Sequence, residues 1–178
     1  LRKIRRQCWR LLSFSQMEAG PLRLDRLRIW IPKLLAGVIE QIDYDNLKSL
    51  VFDVDVQGEI PELYADEDLL KILFAALLEN SMRVSPEGGS VSITISDDLD
   101  MIIVKVADEG PGVTSLQADI IFDVSKQLVE FENMNVEEIG VGLPMAKHIV
   151  EAHGGKIWLF RDEEQGRSGI GFSLRKWF

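Results

Sequence analysis

Two stretches of alternating apolar residues, separated by a short acidic turn, limit the fold most strongly. Residues 91–95 and 102–106 each place an apolar side chain at every second position, and residues 97–100 between them read Asp-Asp-Leu-Asp. A two-residue period is typical of a strand with one buried face, so these segments predict a β-hairpin. A hairpin is antiparallel, and together with a second strand pair near the end of the chain it favours a mixed sheet over a doubly wound parallel one.

The rest of the chain shows both strand and helix periods. Further extended segments are predicted at residues 22–29, 51–56, 156–161 and 169–176. Helices are predicted at residues 32–46, 67–83 and 142–153, with Asp66 as the N-cap of the second and Gly154-Gly155 ending the third. Residues 113–139 are predicted to be irregular. These elements predict an α+β two-layer sandwich, in which a mixed β-sheet packs against about three helices.

The first 20 residues differ from the rest in both charge and period. They carry five basic residues against Glu18 alone, a net charge of +4, whereas the whole chain carries −9, which leaves −13 for the remainder. Five residues recur at spacings of three and four, as in a coiled-coil stripe: Leu1, Ile4, Cys8, Leu11 and Ser15. Gly20-Pro21 ends the predicted helix, so we expect a helical segment at 1–20 and a globular domain at 21–178. The helix either packs on that domain or is the end of a longer dimerising helix.

Composition excludes several classes of protein. One cysteine and two histidines exclude an internal disulfide and leave too few ligands for a Cys/His zinc site. The longest apolar run, Ile72 to Leu78, has seven residues, whereas a membrane-spanning helix needs about 20, so no membrane contact is expected. An acidic body is a poor non-specific binder of nucleic acid. Because the sequence begins with Leu1, we expect it to be part of a longer protein.

Three segments carry residues suited to chemistry, and the first is Leu77 to Gly89. Asn80 falls on the same helical face as the apolar Leu69 and Leu73, where an unpartnered amide is costly. It is therefore satisfied by neighbouring backbone or faces a ligand, and its carbonyl oxygen would suit Mg²⁺. Arg83, one turn later, is either a solvated cation at the helix end or a phosphate ligand.

The second segment, Asp108-Glu109-Gly110-Pro111-Gly112, follows directly from an apolar strand. Two glycines let the backbone turn sharply and approach a ligand closely. The Asp108 carboxylate could then accept a hydrogen bond from an amino group, such as that of adenine. An ordinary turn at the end of a strand has the same composition and stays open as the alternative.

The third segment, Gly140 to Lys147, leads from two glycines directly into a helix, with Pro144 near its first turn. A glycine-flanked helix N-terminus presents free N–H groups and the positive end of the helix dipole to an anion. The segment lacks the Gly-Lys-Ser/Thr of a Walker A loop, and it does not follow a strand as a dinucleotide-binding fingerprint does. A simple loop and helix cap is the alternative.

In this order the segments resemble the ATP-binding domain of sensor histidine kinases, within the superfamily that includes the gyrase, Hsp90 and MutL ATPases. Residues 77–89 are similar to the N box, residues 108–112 to the G1 box, Ile121-Phe122 to the start of the F box, and residues 140–155 to the G2 box and its helix. The resemblance covers about residues 60–178. In addition, residues 15–20 resemble the end of the family's dimerisation helix.

The resemblance implies a Bergerat-type ATP-binding fold, ATP and Mg²⁺ as cofactors, and a role for each matching residue. Asn80 would hold Mg²⁺, and Arg83 would meet phosphate. Asp108 would bind the adenine amino group, while Gly110 and Gly112 make room for the base. The other ATP-binding residues that it implies are Phe122, Lys126, Gly140, Gly142 and Leu143, with residues 113–139 as a lid.

The implied reaction transfers the ATP γ-phosphoryl to a histidine on a helix missing from this chain, and then on to the receiver domain of a response regulator. His148 and His153 are interpreted as structural, so this chain alone is not expected to autophosphorylate. The full-length protein would be a homodimer through its N-terminal helix. This domain would be cytoplasmic, and the full-length protein could carry a membrane anchor.

Four positions differ from the family's pattern: Ala76, Ser125, Gln127 and Pro144. The gyrase-like ATPases keep a water-activating Glu where this chain has Ala76, so self-contained ATP hydrolysis is not expected. These differences favour an alternative, a degenerate nucleotide-binding or docking module of the same fold without kinase activity. A third hypothesis is a protein-serine kinase or anti-sigma-like regulator of the superfamily, and the histidine-kinase-like helix end before Gly20 counts against it.

Overall fold

The computed structural model describes residues 22–42, 49–113, 118, 120–123, 142–162 and 166–176. The elements in these residues are β1 (Arg26–Ile29), α1 (Ile31–Gln41), β2 (Val51–Gln57), β3 (Leu63–Asp66), α2 (Glu67–Val84), β4 (Ser90–Asp98), β5 (Met101–Asp108), α3 (Gly142–Ala152), β6 (Ile157–Asp162) and β7 (Arg167–Arg175). The helical segment and boundary predicted at 1–20, and most of the segment 113–139, lie outside the described residues.

Five strands form one mixed sheet in the order β2-β4-β5-β7-β6. β2 and β4 are parallel, and the other neighbours are antiparallel. β4 and β5 are the predicted hairpin, in which Asp98 pairs with Met101. β1 and β3 form a separate two-stranded antiparallel sheet. The predicted sandwich of a mixed sheet and three helices is confirmed, whereas β3 was not predicted.

One apolar core joins the sheet to α2 and α3. Val91, Ile93 and Ile95 of β4 are fully buried, as their alternation predicts. Phe74 of α2 meets Phe172 of β7 edge to face, with ring centroids 5.6 Å apart. Burial of these side chains is the main favourable term that holds α2, which carries candidate site residues, against the sheet.

The helix ends follow the capping signals in the sequence. Asp66 precedes α2, and its Oδ1 accepts a hydrogen bond from the N–H of Leu69 at 3.0 Å, which confirms the predicted N-cap. After α3, Gly154 has a φ of +70°. A β-carbon on Gly155 would lie 1.8 Å from the Ser173 carbonyl oxygen, so only glycine lets the chain turn this closely against β7.

α1 is shorter than predicted. It ends at Gln41, and Ile42 is already extended, because the Asp-Tyr-Asp-Asn that follows contains weak helix formers. The predicted residues 43–46 lie outside the described part of the chain. In the residues that the structure describes, each helix is too short or too polar to cross a membrane.

Candidate functional site

Asp108 is the last residue of β5, and only 7% of its surface is exposed. Its Oδ1 accepts a hydrogen bond from the backbone N–H of Gly110 at 2.9 Å, and its carboxylate accepts another from the Ser81 hydroxyl of α2. Burial raises the pKa of Asp108 above its ordinary value, and the hydrogen bonds from Gly110 and Ser81 offset part of that rise. Two fixed donors thus orient one nearly buried acceptor, which is suited to bind an amino group.

The turn after Asp108 packs tightly against its neighbours. A β-carbon on Gly110 would lie 2.6 Å from Cγ2 of Val84, the last residue of α2. Gly112 has a φ of +78°, and a β-carbon there would lie 2.7 Å from the Oγ of Ser168. Glycine is therefore required for space at the first position, and for both space and backbone conformation at the second.

Asn80 and Arg83 lie one turn apart on α2 and bond to each other. Nη2 of Arg83 donates to Oδ1 of Asn80 at 2.9 Å. Asn80 is half-buried and Arg83 is exposed. The Asn80 amide oxygen therefore has the Arg83 side chain as a partner. Asn80 is also adjacent in the chain to Ser81, the residue that contacts Asp108.

The N-terminus of α3 lies against α2 at Ala76, which is four residues before Asn80 in the chain. A β-carbon on Gly142 would lie 3.5 Å from Cβ of Ala76, which is an ordinary contact. Leu143 and Pro144 are buried, so the first turn of α3 is anchored in the core. Because Ala76 is small, α3 begins close to the helix that carries Asn80.

Of the other candidate residues, only Phe122 belongs to the described part of the chain. It is half-buried and packs against the core. Lys126 and Gly140 lie outside the described residues, as do Ser125 and Gln127.

Sequence reasoning missed two features of this site. Ser81 is buried among the apolar residues of α2, and a buried hydroxyl needs a partner, so the helical period contains a usable signal for it. Arg167 at the start of β7 pairs with Glu109 in the turn, and no local motif indicates this pair.

His153, the residue directly after α3, has a structural role. It is 1% exposed, its Nδ1 donates to the Ile149 carbonyl at 2.8 Å, and its Nε2 accepts from the N–H of Asp66 at 3.1 Å. An imidazole that donates at one nitrogen and accepts at the other is neutral, and burial lowers its pKa. His148 is half-buried, and its Nε2 has no hydrogen-bond partner among the described residues.

Comparisons with known sequences point to one family. Residues 65–176 match the model of the histidine kinase-, DNA gyrase B- and HSP90-like ATPases. The adaptive-response sensory kinase SasA of Synechococcus elongatus is 31% identical over 169 residues, which cover 93% of this chain and 43% of SasA. The chain therefore spans about two fifths of the length of the curated relatives that it matches.

Solved structures share the fold. Full-length ShkA in complex with AMPPNP gives a TM-score of 0.77 at 24% identity, over 93% of this chain and 34% of that one. The histidine kinase ThkA in complex with the response regulator protein TrrA gives 0.70 at 22% identity, over 97% of this chain and 49% of that one. At these identities the likeness is one of fold, and it agrees with the mixed sheet and three helices described above.

Proposed function

Because the chain belongs to the family of histidine kinase-, DNA gyrase B- and HSP90-like ATPases, we propose that it is the ATP-binding catalytic domain of a sensor histidine kinase. The observation that carries the proposal is the meeting of three distant segments at α2. Asp108 contacts Ser81, Gly110 lies against Val84, and α3 begins beside Ala76. One helix thus borders an amino-group acceptor, a tight glycine turn and a helix N-terminus.

In this proposal Asp108 recognises adenine. Its carboxylate accepts a hydrogen bond from the exocyclic amino group, and the backbone at Gly110 and Gly112 leaves room for the ring. Because Asp108 is nearly buried, a base with a carbonyl in place of that amino group would place a second acceptor against the carboxylate and lose this hydrogen bond, which is costly. The site should therefore prefer ATP to GTP.

The phosphates would lie between α2 and the first turn of α3. Gly142 and Leu143 begin α3, whose N–H groups and dipole favour an anion. Arg83 is an exposed cation in the last turn of α2 and is proposed to meet phosphate. Phe122, Lys126 and Gly140 are proposed to complete the ATP site.

Mg²⁺ would be held by Asn80 together with the phosphates. Mg²⁺ prefers oxygen ligands and commonly takes few of them from the protein, with phosphate and water supplying the rest. The Oδ1 of Asn80 fits that requirement, and it would exchange its hydrogen bond with Arg83 for the ion. Within the described residues, no group of three His, Cys, Asp or Glu side chains could hold a metal instead. When bound, the ion neutralises charge on the phosphate oxygens.

The proposed reaction is transfer of the γ-phosphoryl to a histidine on a helix outside this chain, and from there to the receiver domain of a response regulator. The chain's own residues hold and orient the nucleotide, which is most of what phosphoryl transfer requires of a protein. SasA is named a sensory kinase, and ThkA was solved with a response regulator. The full-length protein is proposed to be a cytoplasmic or membrane-anchored homodimer.

Calorimetric titration with ATP, with and without Mg²⁺, tests this function. We expect ATP to bind with a dissociation constant from micromolar to sub-millimolar, more tightly than GTP, and more tightly with Mg²⁺ than without it. The domain should then transfer phosphate to a supplied helical protein that bears a histidine. A folded sample that binds no nucleotide up to millimolar concentration would overturn the ATP site and favour the docking module.

A further inference from the structure

A cluster of three side chains joins the turn after Asp108 to two other strands. Nη2 of Arg167 donates to Oε1 of Glu109 at 2.9 Å and to Oγ of Ser90 at 2.8 Å. The Ser90 hydroxyl donates in turn to the same Oε1 at 2.7 Å. We name these three residues the Arg167 brace. They connect the starts of β4 and β7 to the residue that follows β5.

The turn is also held at other points. Glu109 also lies close to Gly89 in the loop after α2. A β-carbon added to Gly89 would be only 3.2 Å from Oε2 of Glu109. At the other end of the turn, a β-carbon on Gly112 would be 2.7 Å from Oγ of Ser168, the second residue of β7. The first two residues of β7 therefore contact both ends of the turn.

The brace acts on Asp108 through the backbone. Glu109 lies between Asp108 and Gly110 in the chain, and the N–H of Gly110 is the donor that orients Oδ1 of Asp108. A displaced Glu109 would move that N–H and release the carboxylate. The Arg167 side chain is 23% exposed and that of Glu109 36%, so the charges are partly screened. The position of Glu109 therefore depends more on the two hydrogen bonds that its Oε1 accepts than on Coulomb attraction to Arg167.

We propose that Arg167 is a positioning residue for base recognition, which through Glu109 keeps Asp108 in the orientation that accepts the adenine amino group. This inference rests on the proposed function. Arg167 acts through the turn and has no contact with the nucleotide in this scheme. Its effect should therefore appear in base selectivity as well as in affinity.

The test compares Arg167→Met with Arg175→Met, which removes an exposed arginine at the other end of the same strand. Arg167→Met should weaken ATP binding about tenfold, because a misaligned Asp108 loses its charge-assisted hydrogen bond to the base, and it should reduce the ratio of ATP to GTP affinity. It should also speed hydrogen exchange at the Gly110 amide without nucleotide. Arg175→Met should leave all three unchanged. Arg167→Lys should retain most of the affinity, because one ammonium can donate to both acceptors as Nη2 does.

A second variant keeps the inference testable if Arg167→Met fails to fold. Glu109→Met has a similar side-chain volume but no oxygen to accept from Arg167 and Ser90, and it should reproduce the loss of selectivity and the faster Gly110 exchange. Equal ATP affinity, selectivity and exchange in either folded variant and in the wild type would overturn the inference and leave the proposed function intact. A wild-type chain that binds no ATP would overturn the proposed function, and this inference with it.

Discussion

Replacing Asp108 by Asn should weaken ATP binding while it preserves the fold. Asn has nearly the same shape, and its Oδ1 can still accept from the Gly110 N–H, as the aspartate does at 2.9 Å. Its other terminal group is an NH₂ donor, which would face the donating amino group of adenine. A hydrogen bond to a charged group contributes about 1.5–3 kcal/mol, so ATP affinity should fall about 10- to 150-fold.

The free energy of unfolding of Asp108→Asn should not fall along with its affinity for ATP. Burial raises the pKa of Asp108, which means that the folded state binds its proton more tightly than the unfolded state does. The stability linked to that proton is present at low pH and is lost as the pH rises through the folded pKa. Above the folded pKa the buried charge therefore opposes folding, and a neutral Asn should leave the free energy of unfolding unchanged or increase it.

Two measurements on the same samples test this reasoning. Calorimetric titration gives the ATP affinity, and urea denaturation gives the free energy of unfolding. Asp98→Asn, at the exposed end of β4, is the matched control and should change neither quantity. If Asp108→Asn bound ATP as tightly as the wild type, Asp108 would not be the adenine acceptor. A large loss of stability would show that its role is mainly structural.

Three further outcomes are expected. The pKa of His153 is lowered from 6.5 by burial, so the free energy of unfolding should decline as the pH falls below about 6.5, where the unfolded chain takes up the proton first. Urea denaturation at several pH values should show that the free energy of unfolding depends less on pH in His153→Gln than in the wild type. The same pH dependence in both proteins would show that His153 is not the group responsible. Gly110→Ala places a β-carbon 2.6 Å from Val84 Cγ2 and should lower both the melting temperature and ATP affinity, with partial recovery in the double variant Gly110→Ala/Val84→Ala; no recovery would refute the clash. Leu99 has a φ of +47°, so Leu99→Gly should add about 1 kcal/mol to the free energy of unfolding, and a decrease in urea denaturation would contradict this.

The sequence predicts those elements whose burial follows a simple period. β4 is one, because its inward side chains Val91, Ile93 and Ile95 are all buried. β3 has four residues, of which only Leu63 and Ala65 face the core. Two inward positions are too few to define a period, so this strand is set by its pairing with β1 and not by a local pattern.

The same distinction holds at the candidate site. Asp108 and Gly110 could be found because they are neighbours in a strand-end turn. Arg167 could not, since 58 positions separate it from Glu109 and their contact depends on the register that pairs Asp108 with Ser168. Long-range register is a tertiary property, and no window of the sequence contains it.

The hydrogen bond between His153 and Asp66 joins α3 to the helix that carries Asn80. It links the residue after α3 to the N-cap of α2, whereas the other end of α3 begins at Gly142, beside Ala76. Eleven residues at 1.5 Å each separate these two contacts by about 16 Å. The two helices are therefore joined at both ends of α3, and an anion that binds at Gly142 meets a helix end whose position is already fixed. Such preorganisation lowers the cost of ordering the protein when the anion binds.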